Sequence, residues 1–280
     1  MELLGSIIQL FDMKMVTPEM YGGFHMMSLV LTVLVTIFIC TLGKNMTSKQ
    51  VIGVVFGTAV MVILFEIYKQ INFTFSYDGE KITADYMWYA FPWQFCSTPM
   101  YVGFLAGIFR KGKLHDALCA FLATYAIFAG VCVMVYPSSV FIETIGINIQ
   151  TMVCHGSMIV IGVFLLYTGH VKLEHRTILK AMPVFAVAVS IATIMNEVAY
   201  RTGLLETDEF NMFFISPYCA PSLPVYSMVQ EVVPFPFCLI IYISIFSMAA
   251  YIVLLCSMGI CKIAQMIKMT KRTKLVAVSR

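Results

Sequence analysis

Charged side chains are scarce in this chain. Asp, Glu, Lys and Arg make up 12% of the 280 residues and hydrophobic residues 60%, whereas a soluble domain has about 25% charged residues. Several apolar runs reach the ~20 residues that a helix needs to cross a bilayer. These runs lack the alternation that is typical of membrane β-strands, which excludes a barrel. The sequence therefore predicts an all-α, polytopic membrane protein.

Three further absences narrow the function. The nine cysteines show no Cys-x-x-Cys spacing and no Cys/His cluster along the sequence, so we expect no metal and no cofactor. The last apolar run, 235–260, has no lysine to form a Schiff base, which excludes a retinal-binding seven-helix protein. The N-terminus has no basic stretch followed by a small-residue cleavage site, so we expect no removable signal peptide.

The apolar runs predict a seven-helix transmembrane domain over residues 23–260. Residues 1–22 precede it and carry apolar side chains at helical spacing, which predicts an amphipathic helix on the membrane surface. Residues 261–280 follow it as a basic cytoplasmic tail. The loop 201–234 is rich in proline and aromatic residues and is predicted to fold back as a partial lid. The seven predicted spans are 23–43, 51–71, 86–109, 115–136, 149–169, 178–200 and 235–260.

The distribution of the 18 Lys and Arg residues predicts the orientation. Fourteen fall in segments 43–50, 110–114 and 170–180 and in the tail, while only Lys14, Lys69, Lys81 and Arg201 fall on the other side. Because basic residues accumulate in cytoplasmic loops, we expect the N-terminus outside and the C-terminus in the cytoplasm. The expected location is the cell membrane, or an endomembrane in a eukaryotic host.

Polar residues within the spans concentrate near the predicted outer side. Such residues are costly in a bilayer and tend to face the bundle interior or a wet cavity, so the pattern predicts one polar cavity open outward. Each residue also has a simpler interpretation: a water-exposed helix end, a structural hydrogen bond, or packing in the case of the thiol. The group consists of His25, Glu66, Cys96, His155, Asn196, Glu197 and, just before the seventh span, Glu231.

The run "FPWQFCSTPM", residues 91–100, places a thiol between two prolines inside an apolar span. The prolines free backbone groups that must find partners or line a cavity. If the span is helical from its outer end, Cys96 lies about 15 Å deep. A buried thiol reacts when a neighbouring base takes its proton, and His155 is a candidate base. Freed backbone N–H groups, or the side chains of Gln94, Ser97 and Thr98, are candidates to stabilise an oxyanion.

Six short motifs in order and spacing give a resemblance that covers nearly the whole chain. They are "GGFHMMSL", "FPWQFC", "CHG", "MNEVAY", "NMFFISP" and "VVPFPFC". The chain resembles the family of YwaF-like bacterial integral membrane proteins and their eukaryotic relative, transmembrane protein 164. Two departures, Phe213 in "NMFF" and the run "PFPF" in place of a Trp-Pro-Trp-like run, are expected to alter a substrate pocket.

The resemblance implies a membrane-embedded lipid acyltransferase that moves a fatty-acyl chain between phospholipids through a cysteine thioester. It implies Cys96 as the nucleophile and His155 as the base, with phospholipid and lysophospholipid as partners, the membrane as the medium and no nucleic acid. A related group of lipid hydrolases has threonine in place of the cysteine, so hydrolysis stays open. Expected substrate-binding or orienting residues are Gln94, Thr98, Glu66, Asn196, Glu197, Asn211 and His25.

A second hypothesis stays open beside the enzyme. The same outer polar cavity would serve a non-enzymatic transporter or small-molecule receptor, which often uses broken helices at its binding site. Against a transporter, the two halves show no inverted repeat, and no second ionisable layer lies toward the predicted cytoplasmic side. The sequence leaves the acyl donor, the acceptor, the chain preference and the oligomeric state open.

Overall fold

The fold is a bundle of membrane-length helices. The computed structural model describes residues 2–137, 139–203, 210–219 and 224–278. Within these residues, six helices are long and apolar enough to cross a membrane, which confirms an all-α, multi-pass membrane protein. The count of seven spans and the orientation stay predictions. The six are α2 (Gly23–Gly43), α3 (Ser48–Asn72), the continuous helix Lys113–Val135, α7 (Ile145–Tyr167), α8 (Arg176–Thr202) and the first part of α10 (Phe235–Val278).

The third predicted span, 86–109, is not one membrane-length helix. The chain forms a 3₁₀ turn at Trp88–Ala90, runs on irregularly, and becomes helical only in α4, Thr98–Ile108. The eleven residues of α4 extend about 16 Å, roughly half of a bilayer core. Pro92 keeps Phe91 in an extended conformation (φ −51°, ψ 134°), and Pro99 sits in the first turn of α4, where proline favours a helix start.

This break corrects the expected position of Cys96. The thiol lies in the turn just before α4 and not ten residues along a helix. Pro92 therefore belongs to an irregular segment and Pro99 to the start of α4, whereas the sequence had suggested one continuous helix with its backbone opened at the prolines. The site that the sequence points to is built on irregular backbone next to a helix N-terminus.

Smaller elements cover one end of the bundle. Helix α1 (Glu2–Phe11) buries Gly5 and Ile8 and packs against a hairpin formed by β1 (Phe75–Tyr77) and β2 (Ile82–Ala84). A Cβ at Gly5 would lie 2.6 Å from the ring of Tyr77, so the helix can approach the hairpin this closely only with glycine there. Helix α9 (Pro224–Gln230) precedes α10, and α10 continues far into the residues predicted as a tail, which are helical to Val278.

The helix that carries His155 is held against its neighbour by direct backbone contact. The continuous helix Lys113–Val135 consists of α5 (Lys113–Phe121), a fully buried π-helical turn (Leu122–Ala126) and α6 (Ile127–Val135). A Cβ at Gly130 on α6 would lie 2.7 Å from the carbonyl oxygen of His155. A Cβ at Gly162 on α7 would lie 2.6 Å from the carbonyl oxygen of Leu122. These two approaches fix α7 in the middle of the bundle.

Candidate functional site

The segment before α4, residues 91–97, is irregular but firmly held; we call it the Cys96 segment. The Trp93 indole Nε1 donates to the carbonyl oxygen of Ala188 on α8 at 3.3 Å. The ring of Phe95 packs against Phe185, with ring centroids 5.3 Å apart. Cys96 itself is half-buried and packs against the main hydrophobic core. Because its neighbours are anchored to other helices, the thiol has a defined position without being on a helix.

Two predicted site residues, Gln94 and Asn196, bind the backbone of a loop at residues 210–219. The Asn196 amide donates to the carbonyl oxygen of Met212 at 3.0 Å and accepts from its N–H at 2.8 Å. Gln94 donates to the carbonyl oxygen of Asn211 at 3.0 Å and accepts from the N–H of Phe213 at 2.9 Å. The loop is thereby pinned onto the Cys96 segment and α8. Phe213 has a φ of 58°, which is rare for a bulky residue, and these bonds hold it there.

The same contacts determine where the described part of the predicted lid, loop 201–234, packs. Residues 210–216 of the loop 201–234 are almost entirely buried against the bundle, and the Tyr242 hydroxyl donates to the carbonyl oxygen of Phe213 at 3.0 Å. The Asn211 side chain closes the turn by accepting from the N–H of Ser216 at 2.9 Å. Residues 204–209 and 220–223 of this loop lie outside the described residues. The described part of the loop is therefore packed into the bundle and held there by the side-chain amides of Gln94, Asn196 and Asn211.

We predict that Asn196→Ala lowers the melting temperature of the purified protein. The substitution leaves the buried N–H of Met212 unpaired, at a cost of about 1–3 kcal/mol, and leaves the Met212 carbonyl oxygen with only the 3.5 Å hydrogen bond from the N–H of Ile215. The matched control is Ser190→Ala on the same helix, because Ser190 is exposed and its hydroxyl bonds only its own helix, at Ala186. Thermal unfolding in detergent measures both. Equal melting temperatures for the two variants would contradict the fastening role of Asn196.

His155 holds a free basic nitrogen inside the bundle. Its Nδ1 lies 2.7 Å from the carbonyl oxygen of Thr151, an acceptor only, so Nδ1 carries the proton. The lone pair is then on Nε2. The residue is 6% exposed, and its Nε2 has no hydrogen-bond partner among the described residues. A buried polar atom without a hydrogen-bond partner costs free energy, so we expect a hydrogen-bond donor to bind at Nε2.

Cys96 and His155 are not hydrogen-bonded to each other, since the His155 Nε2 has no partner among the described residues. The start of α4 and this turn of α7 meet across a cavity of about 30 Å³, lined among others by Pro99 and Ser157. That volume is about the share of one water molecule.

A buried polar network stands beside the cavity. Glu66 on α3 forms a 2.7 Å ion pair with Lys69 and accepts from Gln70 at 2.7 Å and from Gln150 at 3.4 Å. Gln150 also contacts the Cys154 sulfur at 3.4 Å. Glu66 therefore joins α3 to α7 and already accommodates one ammonium group. Sequence reasoning missed Lys69 and Cys154 as members of this site; the signal for Cys154 was its place in the "CHG" motif.

The remaining predicted site residues bind protein groups. His25 is fully buried, accepts from the N–H of Tyr21 at Nδ1 (2.9 Å) and donates from Nε2 to the carbonyl oxygen of Met134 (2.8 Å), so it has no free nitrogen. The Thr98 hydroxyl donates to the carbonyl oxygen of Gln94 at 3.1 Å. Substrate contacts for these residues stay predictions.

Glu197 joins the C-terminal end of α8 to the loop. It pairs with Arg201 and accepts from the Tyr218 hydroxyl at 2.6 Å. This hydrogen bond, together with the negative charge of Glu197, raises the pKa of Tyr218 above its usual value. Tyr218 also stacks on Tyr200, with ring centroids 3.6 Å apart. The arrangement secures the described loop at a second point, and a role for Glu197 in binding a substrate stays a prediction.

Two larger cavities adjoin the site. An apolar groove of about 470 Å³ runs between α2, α3 and α7, and Gly156 and Ser157, directly after His155, form part of its wall. A cavity of about 430 Å³ between α3 and the Cys96 segment is lined by Glu66, Gln70, Pro92 and other residues. One cavity is suited to a hydrocarbon chain and the other has carboxylate and amide groups at its wall.

Comparison with known proteins gives one family. A model described as the TMEM164 family matches residues 20–257, a range that includes every predicted site residue. No curated protein and no solved structure matches the chain.

Proposed function

Because the family model matches far more than half of its length, the chain belongs to the TMEM164 family, and we propose that it is a lipid acyltransferase of the membrane. It moves a fatty-acyl chain between phospholipids through a thioester on Cys96. The observation that carries the proposal is the buried His155 ring, whose Nδ1 is held by Thr151 while its Nε2 lacks a partner. A base of this kind, on a helix that shares a small cavity with the start of α4 just after Cys96, suits acyl transfer better than packing.

In the first half-reaction, Cys96 attacks the ester carbonyl of a phospholipid. The thiol proton passes to His155 Nε2, a C–S bond forms, and the ester C–O bond breaks. The protonated imidazole then gives its proton to the departing alkoxide, which leaves as a lysolipid. Proton transfer requires the sulfur to come within hydrogen-bond reach of Nε2, and catalytic hydrogen bonds often tighten only with substrate bound.

In the second half-reaction, a lysophospholipid hydroxyl attacks the thioester. His155 Nε2 accepts the hydroxyl proton, a new ester bond forms, the C–S bond breaks, and the proton returns to the sulfur. Water in place of the lysolipid would release a free fatty acid. An apolar site that excludes water therefore favours transfer over hydrolysis.

The two cavities offer separate places for the two parts of the lipid substrate, its acyl chain and its headgroup. The apolar groove beside Gly156 and Ser157 has a volume of about 470 Å³ and a mostly apolar lining, which suits an acyl chain whose ester end lies at the turn that carries His155. Glu66 already pairs with the ammonium of Lys69, so an amine-bearing headgroup would find a carboxylate in the neighbouring cavity. Gly156 and Ser157 directly follow the proposed base in the chain, and Glu66 accepts a hydrogen bond from Gln150 on the same helix.

We predict that purified protein given phospholipid with a labelled acyl chain forms a thioester at Cys96. Mass spectrometry of the digested protein is expected to find the acyl group on the peptide that contains Cys96, and hydroxylamine, which cleaves thioesters, is expected to remove it. Added lysophospholipid then collects the label. The matched peptide with the exposed Cys132 serves as the control for chemical acylation.

The same measurement separates the alternatives. A transporter or small-molecule receptor predicts no acyl adduct on any cysteine, and that result would overturn the proposal. A hydrolase predicts the adduct but releases labelled fatty acid whether or not lysolipid is present.

A further inference from the structure

A second cluster of reactive side chains lies far from Cys96, at the opposite ends of α4 and α7. His115 and Cys119 are one helix turn apart on α5, and His170 follows the end of α7. Their ligand atoms all lie within 4.8 Å of one another. His115 Nε2 is 2.9 Å from His170 Nε2 and 3.5 Å from the Cys119 sulfur. His115 and Cys119 are buried and His170 is half-buried.

The fold brings His170 to the other two by a sharp turn. Gly169 has a φ of +71°, in the left-handed region that glycine adopts readily, and the chain reverses there after α7. His170 lies 55 residues from His115, so the cluster cannot be found from sequence spacing. The helical pair supplies two ligands at i and i+4, a spacing that puts both on one face.

The outer ring nitrogens are arranged as in metal sites. His115 Nδ1 lies 3.1 Å from the carbonyl oxygen of Ala106, so Nδ1 carries the proton and the Nε2 lone pair points into the cluster. Ser48 Oγ lies 3.4 Å from His170 Nδ1 and can accept a hydrogen bond from an N–H at that nitrogen. Metal-binding histidines usually donate their second N–H to such an oxygen, which fixes the ring and its tautomer.

We propose that His115, Cys119 and His170 bind one divalent transition-metal ion of the Zn²⁺ type, with the fourth position open to water. A tetrahedral zinc site with Zn–N of about 2.0–2.1 Å and Zn–S of about 2.3 Å has N···N and N···S separations of about 3.3 and 3.6 Å. The observed separations differ from these by a few tenths of an ångström. Imidazole and thiolate together suit zinc better than the oxygen-seeking magnesium or calcium.

Binding has a defined proton balance. The Cys119 thiol loses its proton to solvent when the thiolate binds the ion, and His170 moves its proton from Nε2 to Nδ1, facing Ser48. No oxidation or reduction is involved. The bound ion would join the end of α4, the start of α5 and the turn after α7. On the predicted topology this is the cytoplasmic end of the bundle, where the sequence had indicated no second layer of ionisable residues; the buried His115 and half-buried His170 correct that expectation.

The first test is a Zn²⁺ titration of the purified full chain after chelator treatment. We expect one equivalent to bind and to raise the melting temperature. Cys119→Ser and His170→Asn are expected to weaken binding at least about tenfold, since even substitutions behind the ligands have effects of 10–100-fold. The matched controls Cys132→Ser and His175→Asn, both exposed and outside the cluster, are expected to bind as the wild type does.

The second test uses Co²⁺ with the wild-type protein alone, so its result does not depend on whether a variant folds. A thiolate ligand gives Co²⁺ an intense sulfur-to-metal charge-transfer absorption, so the wild-type complex is expected to show this band. A wild type that binds no stoichiometric Zn²⁺, or a Co²⁺ complex without the band, would overturn the proposal and leave the cluster as a hydrogen-bonded histidine pair. Equal affinity in Cys119→Ser and wild type would overturn it as well.

Discussion

Cys96→Ala is expected to abolish acyl transfer while leaving the protein folded. The variant lacks the sulfur that forms the proposed thioester, and removal of a nucleophile costs an enzyme on the order of 10³-fold or more in rate. The fold should survive because Cys96 is half-buried and its segment is held by Trp93, Gln94 and Phe95 rather than by the thiol. The measurement is exchange of a labelled acyl chain between phospholipid and lysophospholipid, with the melting temperature recorded in parallel.

The comparison needs a second cysteine that lies outside the site and is at least as exposed as Cys96. Cys132 on α6 is exposed, so Cys132→Ala is expected to keep both the exchange rate and the melting temperature. If Cys96→Ala exchanges acyl chains at the wild-type rate, the thioester mechanism is wrong. Loss of activity with a large drop in melting temperature would instead mean that the thiol supports the segment by packing.

Most of the fold could be predicted from the sequence because membrane helices depend on local composition. Five of the predicted spans lie within or close to α3, α7, α8, α10 and the continuous helix Lys113–Val135, and the first coincides with α2. The third span could not be predicted in this way. Pro92 and Pro99 within an apolar run are compatible with a kinked helix and with no helix at all, and only contacts from α8 and the 210–219 loop decide between them.

The same distinction applies to the candidate site: its residues could be predicted from the sequence, but their contacts could not. His155 could be named from its polarity within an apolar run, but the direction of its free nitrogen depends on Thr151 one turn earlier. Gln94 and Asn196 could be named as buried amides, yet their partners are backbone groups of residues 211–213, which no spacing rule places beside them. The sequence does not distinguish an amide side chain that faces a substrate from one that holds a loop in place.

His155→Asn is expected to slow thioester formation by about 10²–10⁴-fold, the usual contribution of a general base. Asparagine is chosen because its side-chain N–H can keep the bond to the Thr151 carbonyl oxygen that the imidazole Nδ1 makes, while the basic Nε2 is removed. Loss of the base and loss of the structural bond are thereby separated. The control is His175→Asn at an exposed histidine that contacts Tyr251.

The pH profile of the same variant distinguishes a base from a structural residue. Without Nε2, only the thiolate already present can attack, so the acylation rate of His155→Asn should rise with pH and approach the wild-type rate under alkaline conditions. A merely structural histidine predicts a constant fractional loss at every pH. Acylation by His155→Asn within tenfold of wild type at neutral pH would contradict the role of Nε2, and the missing partner of that buried nitrogen would then require a ligand of another kind.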